Sequence, residues 1–341
     1  MDMALFQKKW QSKKPTHRRR VLMLETPILP LIHSNEEYEQ FKQQVEVLED
    51  VAKKIMHRHQ LPILPLTLFS EGTNIVFACG NNQVIKIFPP FHQNQYQSER
   101  LVLQHVQDKL SVKTPTLKYH GEFSGWPYIV MSQLKGTLLE TLWEGMDHVN
   151  KAIILSELGS LIKEVHGLPI GGLEAIDSHW EQFIEKQIAH CVKHHQSKQL
   201  PDELLQQIPD FLNLVKSTLL KINRPVILTG EYTPMNFLVK QTDGIWHIDG
   251  LIDFGDAMLG LPEYDLLGPG AFLIQGNKEL LITFLTAYGY TEEKLTQHLS
   301  RQLTALMLLH QYSNLNIQVR IEGWKNKVKT IKDLEDLVWG F

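Results

Sequence analysis

Two short segments carry the residues whose types and spacing could do chemistry. In Thr229-Gly-Glu-Tyr-Thr-Pro-Met-Asn236, Glu231 is a carboxylate set just beyond a short apolar stretch, and Asn236, five positions on, offers a neutral oxygen. Asp253, 17 residues further along in Ile252-Asp-Phe-Gly-Asp256, adds an anionic oxygen. Mg²⁺ takes hard oxygens of this kind and shares its remaining positions with phosphates and water. Phosphoryl transfer needs the phosphate positioned, its charge neutralised and an acceptor hydroxyl oriented, and these three groups suit that work. Upstream, Lys86 in Val84-Ile-Lys-Ile-Phe88 precedes Glu99 by 13 residues.

These residues need elements to position them. Ser34-Asn-Glu-Glu37 has the form of a capping box. Tyr38, Phe41, Val45, Leu48, Val51 and Ile55 follow at helical spacing, which predicts one amphipathic helix to about Arg58. Short β-like runs follow over Leu66–Ser70, Asn74–Ala78 and Gln83–Phe88, with a turn near Gly80 between the last two. Pro89-Pro90 ends that run, and a helix bearing Tyr96, Glu99, Leu103 and Val106 succeeds it. Leu117–Phe123 and Tyr128–Ser132 predict two more strands around Gly125. After Gly136 the pattern turns helical, over Lys151–His166 and over residues 178–198 and 203–221. Val226–Thr229, Asn236–Lys240 and Trp246–Asp253 interrupt it as short strands, and helices resume from Thr291. The fold class expected is α+β: a β-rich N-terminal lobe over residues 21–134 with one key helix, and a mostly helical C-terminal lobe over 135–341.

Composition narrows the function classes. The 341 residues are 43% hydrophobic and 21% charged, ordinary for a globular protein. Two cysteines, Cys79 and Cys191, make no disulfide framework and match no metal-ligand spacing, so a reducing cytoplasm is the expected home. No apolar run reaches the length of a membrane span; Val21–Ile32 is broken by Glu25, Pro27 and Pro30. The net charge of −4 combines a basic tail over residues 1–20, at +6, with a body at −10. An acidic body repels polyanions and suits a cationic ligand. The tryptophans are scattered rather than interleaved with basic residues, so no nucleic-acid partner is expected. His190, His194 and His195 put two imidazoles at i and i+4, but with no third ligand they read as a solvated helix face. Trp180 reads as core.

Taken together, the motifs resemble the aminoglycoside phosphotransferase and choline kinase superfamily, distant relatives of protein kinases. In that family the loop begins His-Gly-Asp, continues to an Asn, and is followed by an Ile-Asp-Phe/Trp metal motif. The resemblance implies a bilobal kinase-like fold, with Glu231 at the catalytic aspartate position and Asn236 and Asp253 as catalytic and Mg²⁺-binding residues. It implies ATP as the second cofactor, held by Gly72, Thr73 and Asn74 in the loop Ser70-Glu-Gly-Thr-Asn74, and by Lys86 braced by Glu99. The segment Ile129–Leu134 resembles the hinge, with Met131 beside adenine and the backbone at Ser132 and Leu134 bonding it. Gly260, Pro262, Tyr264 and Asp265 fit the family's Gly-x-Pro-x-Tyr-Asp tail, which is mainly architectural. The leader Val21–Glu37 and the ending Leu337-Val-Trp-Gly340 are most similar to the hygromycin 7″-kinase-like branch.

Two positions depart from the family pattern: Thr229 replaces histidine, and Glu231 replaces aspartate. Glutamate keeps a carboxylate of nearly the same intrinsic pKa, but one further methylene shifts it by about one C–C bond, and misplacement on that scale can cost about 10²-fold. The resemblance therefore implies an ATP- and Mg²⁺-dependent O-phosphotransferase acting on a small, cationic hydroxyl acceptor of aminoglycoside or aminocyclitol type, an antibiotic-modifying activity. Asp256 and Glu263 are the candidates to meet its ammonium groups. Two other readings stand beside it. One is a nucleotide-binding pseudokinase or interaction module, motivated by Glu231. The other is a protein kinase, disfavoured because no activation segment separates Asp253 from the Gly260–Asp265 tail.

Overall fold

The computed structural model describes residues 29–70, 72–176 and 179–341. Its N-terminal region is built on a five-stranded antiparallel sheet of order β1-β2-β3-β5-β4, comprising β1 (Leu66–Leu68), β2 (Ile75–Cys79), β3 (Gln83–Ile87), β4 (Leu117–Phe123) and β5 (Trp126–Ser132). Both faces of this sheet are covered, so β5 reads as an almost continuous buried run. Side chains alternate across a strand. Ile85 and Ile87 therefore pack with Phe77 and Val130 against α2 (Val45–Arg58), while Val84 packs with Ile129 and Met131 on the side of α3 (Gln93–Val106). Lys86 shares the face of Val84, and that alternation alone aims its ammonium at α3.

The long first helix expected from the periodicity is two helices, α1 (Asn35–Phe41) and α2, separated at Lys42–Gln44. The apolar stripe misleads because Val45, which should continue it, is 40% exposed. Tyr38 and Phe41 instead seat on Trp126 in the sheet, with ring centroids 6.0 and 5.4 Å away. The capping serine is present, its side chain accepting from Glu37 N.

Beyond Gly136 the chain is mostly helical and is bilobal with the sheet region in the manner of kinases. A short strand β6 (Thr137–Leu138) leads to α4 (Glu140–Trp143) and the long α5 (His148–Gly167), capped by Asp147 through Asn150 N. α5 packs closely on the helix Lys278–Tyr288, a helix that the sequence pattern did not single out. A methyl group at Gly159 would lie 2.4 Å from Phe284 O, so glycine is what lets these helices touch. α6 (Trp180–Ser197) and the helix Ile208–Leu220 complete the lower wall with the helix Gln297–Leu309.

Within this helical region sit two small β elements that shape the site. β7 (Val226–Leu228) pairs with β10 (Met258–Gly260), and β6 joins the hairpin β8 (Phe237–Thr242)–β9 (Ile245–Leu251). The hairpin turns at Asp243-Gly244, both with positive φ, the conformation a tight two-residue hairpin demands. Among the described residues, no helix is long and apolar enough to cross a membrane. Cys79 and Cys191 are both buried and free.

Candidate active site

Strand register brings the scattered motif together. Leu228 pairs with Met258, so the segment leaving β7 and the segment entering β10 lie side by side, placing Gly230 against Asp256. Phe237 pairs with Leu251, so the residues just outside that hairpin, Asn236 and Ile252, also meet; Ile252 N donates to Asn236 O at 2.9 Å. The 17-residue gap between Asn236 and Asp253 is therefore one hairpin out and back. Gly230 has φ +79°, and a Cβ there would fall 2.7 Å from Asp256 O, so no other residue fits without displacing the loop.

The loop is anchored from below by Asp265. Its carboxylate accepts from Thr229 N and Gly230 N, both at 3.0 Å, and pairs with His166 Nε2 at 3.1 Å. Asp265 is 2% exposed and the end of α5 supplies His166, whose other ring nitrogen meets Tyr288 Oη at 2.9 Å. The tail of the motif is thus architectural, as its resemblance implied. His310 adds a second brace: it stacks on Tyr264 at 4.8 Å and bonds to the Gly230 backbone.

Above the loop, Lys86 Nζ lies 2.6 Å from Glu99 Oε2 and 2.9 Å from Asp253 Oδ1. Burial works against the Lys86 charge, but Asp253 and Glu99 outweigh it and raise the pKa, so the ammonium is fixed. Asp253 is held below the ordinary carboxylate range: burial opposes its charge, and Lys86 with the Gly255 N–H overcomes that. Glu99, almost wholly buried, is pushed up to about 7 by burial, with Lys86 pulling against it. Asp253 keeps 41% of its side chain exposed against 5% for Lys86 and 1% for Glu99. The lysine is therefore locked from behind while the aspartate still faces solvent. Asp253 also has φ +65°, a left-handed geometry costing about 1–3 kcal/mol in a non-glycine residue and held by these contacts.

Glu231 lines a cleft of about 160 Å³, together with Thr233, Met235, Phe272, Met307, His310 and Tyr312. Most of that wall is apolar. Burial pushes the Glu231 carboxyl up to about 8, with the negative charges of Asp256 and Asp253 adding to the rise. The intrinsic pKa is that of any glutamate; the surroundings make the difference. Asp256 is raised as well, by burial first, although hydrogen bonds from Gln95 (3.2 Å) and Tyr312 (3.0 Å) work against it.

Other expected residues fall in less simple places. Gly72 and Thr73 are exposed in the turn before β2, and Gly72 O accepts from Lys42 Nζ at 3.1 Å. Asn74 is buried and committed: its amide donates to Gln95 Oε1 (3.0 Å) and its oxygen meets His92 Nδ1 (3.1 Å). It anchors the loop to α3 rather than offering its side chain to a ligand. Met131 is buried at the end of β5, but Ser132 N donates to Thr116 O at 2.9 Å, so that N–H is not available to an adenine. Among the described residues Leu134 has no backbone–backbone hydrogen bond outside helices and strands. Glu263 is turned away from the cleft and accepts from Tyr290 Oη at 2.9 Å. Of the three histidines read as a solvated face, His190 is exposed, His194 is half-buried and bonds to Ser313 O, and His195 departs from that reading, being fully buried and bonded to Leu308 O. Trp180 is core, with its indole N–H on Leu219 O. Glu71, the basic tail over residues 1–20 and the leader as far as residue 28 lie outside the described residues. Gln95, His166, His310 and Tyr312 had no motif to reveal them, coming from three segments far apart in the chain.

Residues 66–298 match the phosphotransferase enzyme family (APH). The chain belongs to that family. Solved structures of low identity share its kinase-like fold. One is the aminoglycoside phosphotransferase APH(2″)-IIIa with GDP and kanamycin, 18% identical, covering 84% of this chain and 97% of that one at a TM-score of 0.62. Another is the macrolide 2′-phosphotransferase MphH from Brachybacterium faecium, as apoenzyme, 18% identical over 80% of this chain and 98% of its own, TM-score 0.56. A thermostable mutant of APH(4)-Ia, in apo form, is 18% identical over 75% of this chain and 88% of its own, TM-score 0.53.

For a member of this phosphotransferase family, the donors present fit a Mg²⁺ ion. Asn236 Nδ2 donates to Glu231 O at 2.8 Å, which turns Oδ1, the hard oxygen, the other way. Asp253 spends Oδ1 on Lys86 and Gly255 N and keeps its second oxygen. Among the described residues no group of three or more His, Cys, Asp or Glu could hold a metal.

Proposed function

We propose that this phosphotransferase moves the γ-phosphate of ATP, with Mg²⁺, to a hydroxyl of a small molecule. The observation that carries the reading is the Lys86 ammonium held between Glu99 and Asp253 at 2.6 and 2.9 Å, near enough for its charge to act on Glu231. Lys86 would steady the α- and β-phosphates, Gly72 and Thr73 would cover them, and Met131 with the Leu134 backbone would flank the adenine. Asn236 and Asp253 would hold Mg²⁺, which when bound supplies neutralisation of phosphate charge. Glu231 orients the acceptor hydroxyl and takes its proton, a role for which a raised pKa gives a stronger base once ionised.

The cleft supports an acceptor with two characters. Glu231, with Asp256 behind Tyr312, favours a cationic group, as in an aminoglycoside or aminocyclitol. Met235, Phe272 and Met307 favour an apolar face on the same molecule. Similarity of the leader and the ending to the hygromycin 7″-kinase-like branch agrees with an antibiotic acceptor. The test is an ADP-release screen over aminoglycosides, aminocyclitols, macrolides and choline-like amines, with Asp253→Ala as the blank. Modification of one acceptor by a single phosphate, lost in Asp253→Ala, is the result expected; no ADP above the blank with any acceptor would reject the reading.

One observation favours a second reading, a nucleotide-binding module with weakened catalysis. Glu231 is half-buried, and desolvation together with Asp256 and Asp253 pushes its carboxyl up to about 8, toward the protonated form at neutral pH. That reading predicts thermal stabilisation by Mg·ATP without ADP release, and a Glu231→Gln variant that behaves as wild type.

A further inference from the structure

Gln95 and Glu99 lie four residues apart on α3, hence on one face of the helix. Glu99 ties Lys86 and Asp253, as described. Gln95 makes a second tie that the chemistry above does not use. Its Nε2 donates to Asp256 Oδ1 at 3.2 Å, and its Oε1 accepts from Asn74 Nδ2 at 3.0 Å. The same Asp256 oxygen accepts from the hydroxyl of Tyr312 at 3.0 Å. Asn74 closes the other end on His92 at 3.1 Å.

The direction of this chain is dictated by its chemistry. An ionised Asp256 is acceptor only, so Gln95 must present its NH₂ and is left with its carbonyl for Asn74. Asn74 must then donate, which turns its own oxygen to His92. Each amide is thus oriented by the carboxylate at the far end, and a reversal at one link breaks all of them. One end of the chain holds the turn Gly72–Asn74 before β2. The other end, Tyr312, belongs to the wall of the cleft that contains Glu231. The Tyr312 ring is held by its contact with His310, itself bonded to the Gly230 backbone.

We propose that Gln95 and Tyr312 are positioning residues, which through Asp256 register the Gly72–Asn74 loop against the acceptor wall, so that nucleotide affinity depends on a hydroxyl outside the nucleotide site. The proposal rests on the reading of that loop as nucleotide-holding. It is tested on the full chain by calorimetric titration with Mg·ADP of wild type, Tyr312→Phe, Gln95→Met and the double variant, each checked for an unchanged circular dichroism spectrum. Tyr312→Phe removes one hydroxyl and weakens Mg·ADP about three-fold or more, Gln95→Met weakens it at least as much, and the double variant is no weaker than Gln95→Met alone. Non-additivity of this kind is what a general loss of stability would not produce. Wild-type affinity in Tyr312→Phe, or strictly additive effects in the double variant, overturns the relay while leaving nucleotide binding intact. Failure of the wild-type protein to bind Mg·ADP overturns the nucleotide reading and the relay with it. Should Gln95→Met not fold, Asn74→Ala replaces it in the cycle with the same expected non-additivity.

Discussion

The residue that most distinguishes this site is Glu231. Its surroundings, more than its length, set its behaviour: burial and two neighbouring aspartates bring its pKa up to about 8. A carboxyl raised in this way binds its proton more tightly folded than unfolded. Its contribution to stability is complete below the unfolded value near 4.5 and is lost as pH rises through about 8. Glu231→Gln carries no such titration. The variant is therefore expected to gain in melting temperature over wild type on going from about pH 5 to about pH 8.5, in thermal melts without nucleotide. A constant difference across that range would mean that Glu231 is an ordinary solvated acid. In catalysis the same change should lower kcat by about 10²–10⁴, the usual worth of a positioned base, with a much smaller effect on the KM for ATP. Lys86, Asn236 and Asp253 were legible from spacing because each belongs to a contiguous motif. The pKa of Glu231 was not, because it depends on Asp256 and on burial by distant segments.

At the scale of elements, the site depends on two short strand pairings and one buried acid. β7–β10 and β8–β9 return the chain so that Gly230, Asn236, Asp253 and Asp256 converge. Asp265 then pins the loop through two backbone N–H groups and His166. Asp265→Asn keeps the shape but swaps one accepting oxygen for a donor facing donors. The loss is expected to be about 2–4 kcal/mol in denaturant unfolding, with activity falling in parallel. Stability within about 0.5 kcal/mol of wild type would remove Asp265 from this role. Most strands were readable to within a residue or two, since β-branched runs bounded by Gly and Pro mark them locally. The break between α1 and α2 was not readable: an unbroken helical stripe cannot show that Val45 faces solvent while Tyr38 and Phe41 turn onto Trp126. Asn74 shows the same limit. A Gly-Thr-Asn turn between strands reads as a ligand loop only through the family resemblance, and no local pattern shows that its asparagine bonds to α3.

At the scale of the molecule, α3 ties the sheet region to the helical region through two contacts from one face, Glu99 by way of Lys86 to Asp253 and Gln95 to Asp256. A nucleotide bridging Lys86 and the Asp253 side would reinforce these ties and should stabilise the whole chain. At a hundred-fold excess over Kd the expected gain is about 2.7 kcal/mol, read as a rise in melting temperature with Mg·ATP. Lys86→Met should lose that rise, and a variant still stabilised as strongly would place the nucleotide elsewhere. The bilobal kinase-like fold was legible in the order of the motifs, because strand lysine, helix glutamate, hinge and paired oxygen ligands must recur in that sequence to meet in space. The acceptor cleft was not, since Met235, Phe272, Met307 and Tyr312 come from three separate segments and share no periodicity.

The measurement that bears most directly on phosphoryl transfer is mass spectrometry of candidate acceptors after incubation with Mg·ATP, run with wild type and Asp253→Ala side by side. Wild type is expected to add one phosphate to at least one hydroxylated amine or macrolide and to release ADP in equal amount, while Asp253→Ala adds none. Equal product with both proteins, or Mg·ATP binding by wild type with no product from any acceptor, would contradict the account.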